Sequence, residues 1–210
     1  MGNLQSTVQQ LQKLLPNLKK EERQISKFLY QKLALGNSVP IETIANELQI
    51  PIQDIQVHLK QMAYVEYSAT GEISAYRGVT LNQTKHCIFH NNVKIYTWCA
   101  FDTLFLADLL VEPVSISSNC PVCGKAIACK VTDRNLTSSK DSDTVMSFII
   151  PNKVDYCEDL QNAFCCKVHF FCNEKCGSEW INLSPEVDFF DLSESLVIAQ
   201  ERNRQSLRNV

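Results

Sequence analysis

All ten cysteines of this 210-residue chain fall between Cys87 and Cys176, and the first 86 residues contain none. The first twenty residues, MGNLQSTVQQLQKLLPNLKK, hold no apolar run of the kind a secretory signal needs. Nor does any later stretch reach the uncharged length of a membrane span; the most apolar one, around Phe101, carries Asp102 and Asp108. The expected setting is therefore cytoplasmic, where thiols stay reduced. Reduced thiols in such number point to metal or nucleophile chemistry more than to loops stapled by disulfides. The abrupt change in cysteine content also places a boundary near residue 80, giving segments 1–80 and 81–210.

The first segment reads as helical. Ile25, Phe28, Leu29 and Leu33 share one helix face before Gly36. Two shorter helices follow, IETIANELQI from Ile41 and PIQDIQVHLKQM from Pro51, separated by a turn at Ile50-Pro51. The alternating stretch AYVEYSATGEISAYRG turns at Thr70-Gly71 as a hairpin. Helices of this size followed by a hairpin predict a winged-helix-like subdomain over 1–80. DNA binding does not follow from that shape. Residues 1–80 carry eight Lys+Arg against seven Asp+Glu, and the second short helix holds Asp54, His58 and Lys60 but no Arg. Non-specific affinity for nucleic acid comes mainly from cations on phosphates. The whole chain is also slightly acidic, with a formal charge of −3. Neither a nucleic acid nor an anionic membrane is the expected partner.

From residue 81 the pattern becomes α+β, with a mixed or antiparallel sheet and flanking helices. CIFHNNVKIYTW predicts a hairpin around Asn91-Asn92. TVMSFIIP and FCCKVHFF read as buried strands, with helices over Cys99–Leu110, Glu174–Ile181 and Leu192–Leu207.

Two cysteine positions stand out for chemistry. In YTWCAFDTL, Cys99 lies where a strand gives way to a helix, so its thiol meets the positive end of the helix dipole. Asp102 follows on the same helix face. A carboxylate beside a thiol makes chemical sense if it takes or gives a proton; the competing reading is a buried cysteine with Asp102 satisfying free amides of the first turn. In FCCKVHFF, strand alternation would turn Cys165 and Cys166 to opposite faces, with Cys165 sharing the more polar side with Lys167 and His169 and Cys166 toward the core.

YTWCAFDTL followed by FCCKVHFF, together with the GVTL segment and SSNC at Ser117–Cys120, resembles the bacterial organomercurial (alkylmercury) lyases. The resemblance extends from about residue 20 to the C-terminal helix. It implies cleavage of a carbon–mercury bond by protonolysis, to a hydrocarbon and Hg(II), in the second segment. It also implies that Cys99, Asp102 and Cys165 are the catalytic set, the two cysteines binding mercury and Asp102 moving the proton. No organic cofactor is expected. The substrate would be a small organomercurial, and small thiols or a mercuric reductase would take the Hg(II). Tyr96 and Trp98 are candidate walls of the pocket, and Cys166 an auxiliary or structural thiol.

Four further cysteines fall outside that set. Cys120 and Cys123 of CPVCGK pair with Cys172 and Cys176 of FFCNEKCGSEW as CxxC and CxxxC, a spacing that suits a tetrahedral zinc site of four thiolates. Unliganded buried thiols, or a second soft-metal station that passes Hg(II) on, are the alternatives. By the resemblance, Cys120 matches a cysteine that is structural in zinc-free lyases. The same features define a rival function, a metal-responsive winged-helix regulator or a soft-metal chaperone without turnover. Asp102 separates the two, because a pure binding site has no use for a proton donor one helical turn from its thiol.

Overall fold

The computed structural model describes residues 2–110, 112–139, 142–181 and 186–207. Four helices open the chain: α1 (Leu4–Leu14), α2 (Lys20–Leu33), α3 (Ile41–Leu48) and α4 (Ile52–Gln61). The last two start directly after Pro40 and Pro51, whose fixed φ and missing N–H suit a helix start. In α2 the Glu22 side chain reaches back to the Lys19 amide at 2.7 Å, closing the first turn. Strands β1 (Val65–Tyr67), β2 (Ile73–Tyr76), β3 (Val79–Thr80), β4 (His86–His90) and β5 (Val93–Thr97) lead to α5 (Ala100–Leu110).

Beyond α5 come β6 (Val114–Asn119), β7 (Ala126–Thr132), β8 (Asn135–Ser139) and β9 (Val145–Phe148), then α6 (Lys153–Glu158) and α7 (Leu160–Ala163). The short β10 (Phe170–Phe171), α8 (Glu174–Ile181), β11 (Asp188–Asp191) and α9 (Leu192–Leu207) complete the chain. Strands β1 to β8 form one antiparallel sheet in the order β1-β2-β3-β5-β4-β6-β7-β8, and β10-β9-β11 form a second. The fold is α+β, antiparallel, with flanking helices. The large sheet is continuous from the β1-β2 hairpin through strands of the second segment.

Helix α5 is apolar around its whole circumference, and Ala100 to Asp108 are all buried. Such a helix needs cover on every side. It is packed by β4, β5 and β6 and by α9. Asn203 of α9 donates from Nδ2 to the Phe105 carbonyl at 2.7 Å and to Asp108 at 2.9 Å. These bonds hold α5 in one rotation about its axis, and so fix where its first turn points. Phe101 of that turn packs edge-on against Phe148 of β9 and against Phe164, at ring-centroid distances of 5.1 and 5.9 Å. Helix α9 is thus an internal packing element, with α1 and α2 against it. No helix among the described residues is long and apolar enough to cross a membrane.

One expected strand is not formed. Alternation in FCCKVHFF predicts a strand throughout, yet Cys165–Lys167 is a single 3-10 turn and only Phe170–Phe171 joins a sheet. Helix α7 ends just before the turn, and the buried Phe164 is packed between Phe101 and Phe148. The turn closes on itself instead, Lys167 N–H to Phe164 O at 2.9 Å and Val168 N–H to Cys165 O at 3.3 Å. The expected faces are consequently reversed: Cys165 is buried at 4% exposure, whereas Cys166 is exposed.

Candidate active site

Cys99 sits just ahead of α5 at 0% exposure. Three hydrogen bonds fix the chain around it. Trp98 N–H donates to Gly78 O at 2.9 Å, Ala100 N–H donates to Val168 O at 3.2 Å, and Thr97 Oγ1 donates to Cys99 O at 3.0 Å. The Val168 bond ties the start of α5 to the segment carrying Cys165. Asp102, in the first turn, accepts the Cys99 amide on Oδ2 at 2.9 Å. The carboxylate therefore caps a free amide and also lies beside the thiol, so the two readings of its sequence position coexist.

The Cys99 and Cys165 sulfurs and a carboxylate oxygen of Asp102 all lie within 4.8 Å of one another, and all three residues are buried. The structure thus brings together the three residues singled out in sequence. Electrostatics in this dry setting favour the neutral forms. Burial pushes the Asp102 carboxyl up to about 7, against the hydrogen bonds from Cys99 and the Arg202 charge, which favour ionisation. Burial, the hydrogen bond with Cys165 and the Asp102 charge hold the Cys99 thiol well above its usual range. For Cys165 the hydrogen bond with Cys99 favours the thiolate, but burial and the Asp102 charge outweigh it and the thiol is raised. A carboxyl that titrates near pH 7, hydrogen-bonded to Cys99 and close to both protonated thiols, is placed to exchange protons with them.

Cys165 borders two spaces. On one side is an open mouth lined by Lys85, His86, Trp98, Cys166 and His169. On the other is a small, mostly apolar cavity lined by Phe101, Phe105, Tyr156, Phe164, Asp102 and two guanidinium groups, Arg77 and Arg202. Trp98 is a pocket wall as expected. Tyr96 is not among the residues lining either space; its ring lies under the Lys94 ammonium. At the mouth His86 and His169 stack, ring centroids 5.7 Å apart. His86 is hydrogen-bonded through Nδ1 to Ser118 Oγ at 2.8 Å, and burial lowers its pKa to about 3. It is a neutral wall, not a cation.

Gly78 is a member of the site that its residue type alone does not reveal. Its φ is +107°, and a Cβ there would meet Asp102 Cγ and Oδ1 at 2.5 Å. The backbone of the β2-β3 turn is pressed against the carboxyl. The one local signal for it is an isolated glycine inside a strand-like run, which marks a bulge or a close approach of backbone.

The other expected cluster also assembles. The sulfurs of Cys120, Cys123, Cys172 and Cys176 lie within 4.8 Å of one another, so this donor set is able to hold a metal ion.

Known proteins resemble this chain over most of its length. The family model described as alkylmercury lyase matches residues 79–202, more than half of the chain. An alkylmercury lyase of Staphylococcus epidermidis is 33% identical over 158 residues, covering 75% of this chain and 71% of that protein. One from Pseudomonas putida is 27% identical over 185 residues, covering 86% and 85%. A crystal structure described as the mercury-bound form of MerB2 superimposes with a TM-score of 0.79 at 22% identity, over 96% of this chain and 98% of the other. On the family match and the relatives together, the chain belongs to the alkylmercury lyase family.

Proposed function

We propose that the protein cleaves carbon–mercury bonds of small organomercurials by protonolysis, with Cys99, Cys165 and Asp102 as the reacting groups. The observation that carries this reading is the buried convergence of two thiols and one carboxyl within 4.8 Å. Two soft sulfurs suit a soft metal whose carbon is still attached. A carboxyl raised to about 7 supplies the proton transfer. One thiol displaces the ligand opposite carbon on R–Hg–X, forming S–Hg–R, and its proton leaves with X. The second thiol passes its proton to Asp102 as its sulfur bonds mercury. Asp102 delivers that proton to carbon as the Hg–C bond breaks. The products are R–H and Hg(II) held by Cys99 and Cys165, with Asp102 ionised as before. No redox step occurs and no organic cofactor is needed.

The cleft wall of His86 and Trp98 leads to Cys165, which supports entry of substrate from that side. Release of Hg(II) then requires competing sulfur ligands, supplied by small thiols or a mercuric reductase in the cytoplasm. Helices α2 to α4 followed by the β1-β2 hairpin support a winged-helix-like reading of residues 1–80, packed on a catalytic segment of 81–210. The alternative, a metal-responsive regulator or chaperone, accounts for Asp102 as a cap on the Cys99 amide but gives no role to a carboxyl raised to about 7 beside the thiols.

The test is headspace detection of benzene from phenylmercury in the presence of excess small thiol. Benzene over many turnovers from the native protein, and none from Cys165→Ala, is the expected result. Tight mercury binding without benzene would overturn the assignment.

A further inference from the structure

We infer that Cys120, Cys123, Cys172 and Cys176 form a closed structural zinc site, separate from the reacting thiols and anchoring the segment that carries Cys165. The sulfur separations set the geometry. Cys123 to Cys172 is 3.4 Å and Cys172 to Cys176 is 3.6 Å. A disulfide needs roughly 2.05 Å, so these are not bonded pairs. Four sulfurs about 2.3 Å from a tetrahedral zinc stand roughly 3.8 Å apart, close to what is seen. With four protein ligands no position stays open for substrate, which distinguishes a structural site from a catalytic one. The donor set includes no carboxylate or imidazole, unlike the Cys99 cluster.

Each half of the cluster is built for the purpose. Cys120 and Cys123 stand on the tight turn between β6 and β7. Cys120 N–H donates to Lys125 O and Gly124 N–H to Cys120 O, both at 2.9 Å, and Gly124 adopts φ +73°. That left-handed position is open to glycine at little cost. The backbone amides of Val122, Cys123 and Cys172 are directed at the Cys120 sulfur, where they would stabilise a metal-bound thiolate and fix its direction. Cys172 follows β10 directly, and Cys176 lies in the first turn of α8, where Asn173 Oδ1 accepts its amide at 2.9 Å. A turn, a strand end and a helix start meet at one point with their sulfurs inward. Cys165 and Cys172 are joined by a short run of chain through β10, so the metal would hold the reactive turn to the β6-β7 edge.

Metal analysis of the full chain, expressed with zinc and purified without chelator, tests the site independently of turnover. About one zinc per chain is expected for four filled tetrahedral positions. Cys123→Ser, at an exposed position, should lower that to well under half, while Cys123→His should retain zinc because three thiolates and one imidazole also bind it. Cys99→Ala should keep its zinc. Replacement by cobalt should give the visible absorption of tetrahedral thiolate coordination, and removal of the metal should lower Tm. Zinc below half an equivalent in the native protein, iron in its place, or zinc retained by Cys123→Ser but lost from Cys99→Ala would each overturn the site. The benzene assay reads the other proposal separately: zinc-free protein that makes benzene sinks only the zinc site, and zinc-loaded protein that makes none sinks only the lyase chemistry.

Discussion

Replacing Gly78 by alanine should disable the reaction without unfolding the protein, and the size of the effect follows from two structural features. The first is conformational. At φ +107° a residue with a Cβ is strained by roughly 1–3 kcal/mol. In a chain of this size, each kcal/mol lowers Tm by about 2–4 °C. The second is steric. The new Cβ would stand 2.5 Å from Asp102 Cγ and Oδ1, so the carboxyl must retreat by roughly 0.9 Å to reach the ordinary limit of about 3.4 Å. Displacement of a reacting group by about 1 Å can cost on the order of 100-fold in rate. Gly71→Ala is the matched control, because Gly71 has φ +82° and nothing lies within 4 Å of where its Cβ would stand. In thermal melts both variants should lose stability, Gly78→Ala more than Gly71→Ala because steric overlap with a buried carboxyl adds to the conformational strain. Only Gly78→Ala should lose about 100-fold in the single-turnover rate of benzene release. Equal activity of the two variants would refute the idea that Gly78 sets the carboxyl in place.

With the Asp102 pKa raised from 3.8 to about 7, kcat/KM should rise with pH through about 7 as the carboxylate becomes able to accept a thiol proton, and Asp102→Asn should abolish that rise while still binding mercury. The same raised pKa means that ionising Asp102 costs the folded state stability as pH climbs from about 4 past 7, so Asp102→Asn should gain stability over the native protein at pH 8 and not at pH 4, as read by denaturant melts. Cys165→Ala should release no benzene, whereas Cys166→Ala, at an exposed thiol, should keep most of the rate; the reverse pattern would contradict the placement of Cys165 beside Cys99. His86, lowered from 6.5 to about 3 by burial, should make the fold acid-labile: the unfolded chain takes up its proton first, so stability falls as pH drops from about 6.5 toward 3, and His86→Asn should flatten that part of the profile.

The sequence was most informative where local chemistry governs the backbone. Asn91 and Asn92 both adopt positive φ, 48° and 63°, which a two-residue hairpin requires and asparagine tolerates, so the β4-β5 hairpin was legible from residue type. Helices α8 and α9 follow their apolar spacing to the expected ends. The convergence of Cys99, Asp102 and Cys165 was legible through family resemblance, not through spacing, since the last two are 63 positions apart in the chain. The Cys165–Lys167 turn was hidden because its alternation is that of a strand, and what overrides it is tertiary: Phe164 is held between Phe101 and Phe148, the latter with ring centroids 5.2 Å apart. The closeness of Gly78 to Asp102 is likewise a relation between distant segments that no local pattern records.

A zinc ion held by the four thiols would give this chain a vulnerability of its own. Mercuric ion is a softer acid than zinc, and the reacting pair would generate it only a few residues along the chain from Cys172. At equilibrium the product should displace the structural ion, so endurance in use becomes a race between hand-off to outside thiols and metal exchange within the molecule. Burial weights that race: Cys120, Cys172 and Cys176 are 2%, 5% and 9% exposed, and of the four Cys123 alone is open to solvent. Exchange would have to begin at that one sulfur, so on this reading a plentiful supply of outside thiols would protect the fold as well as clear the product.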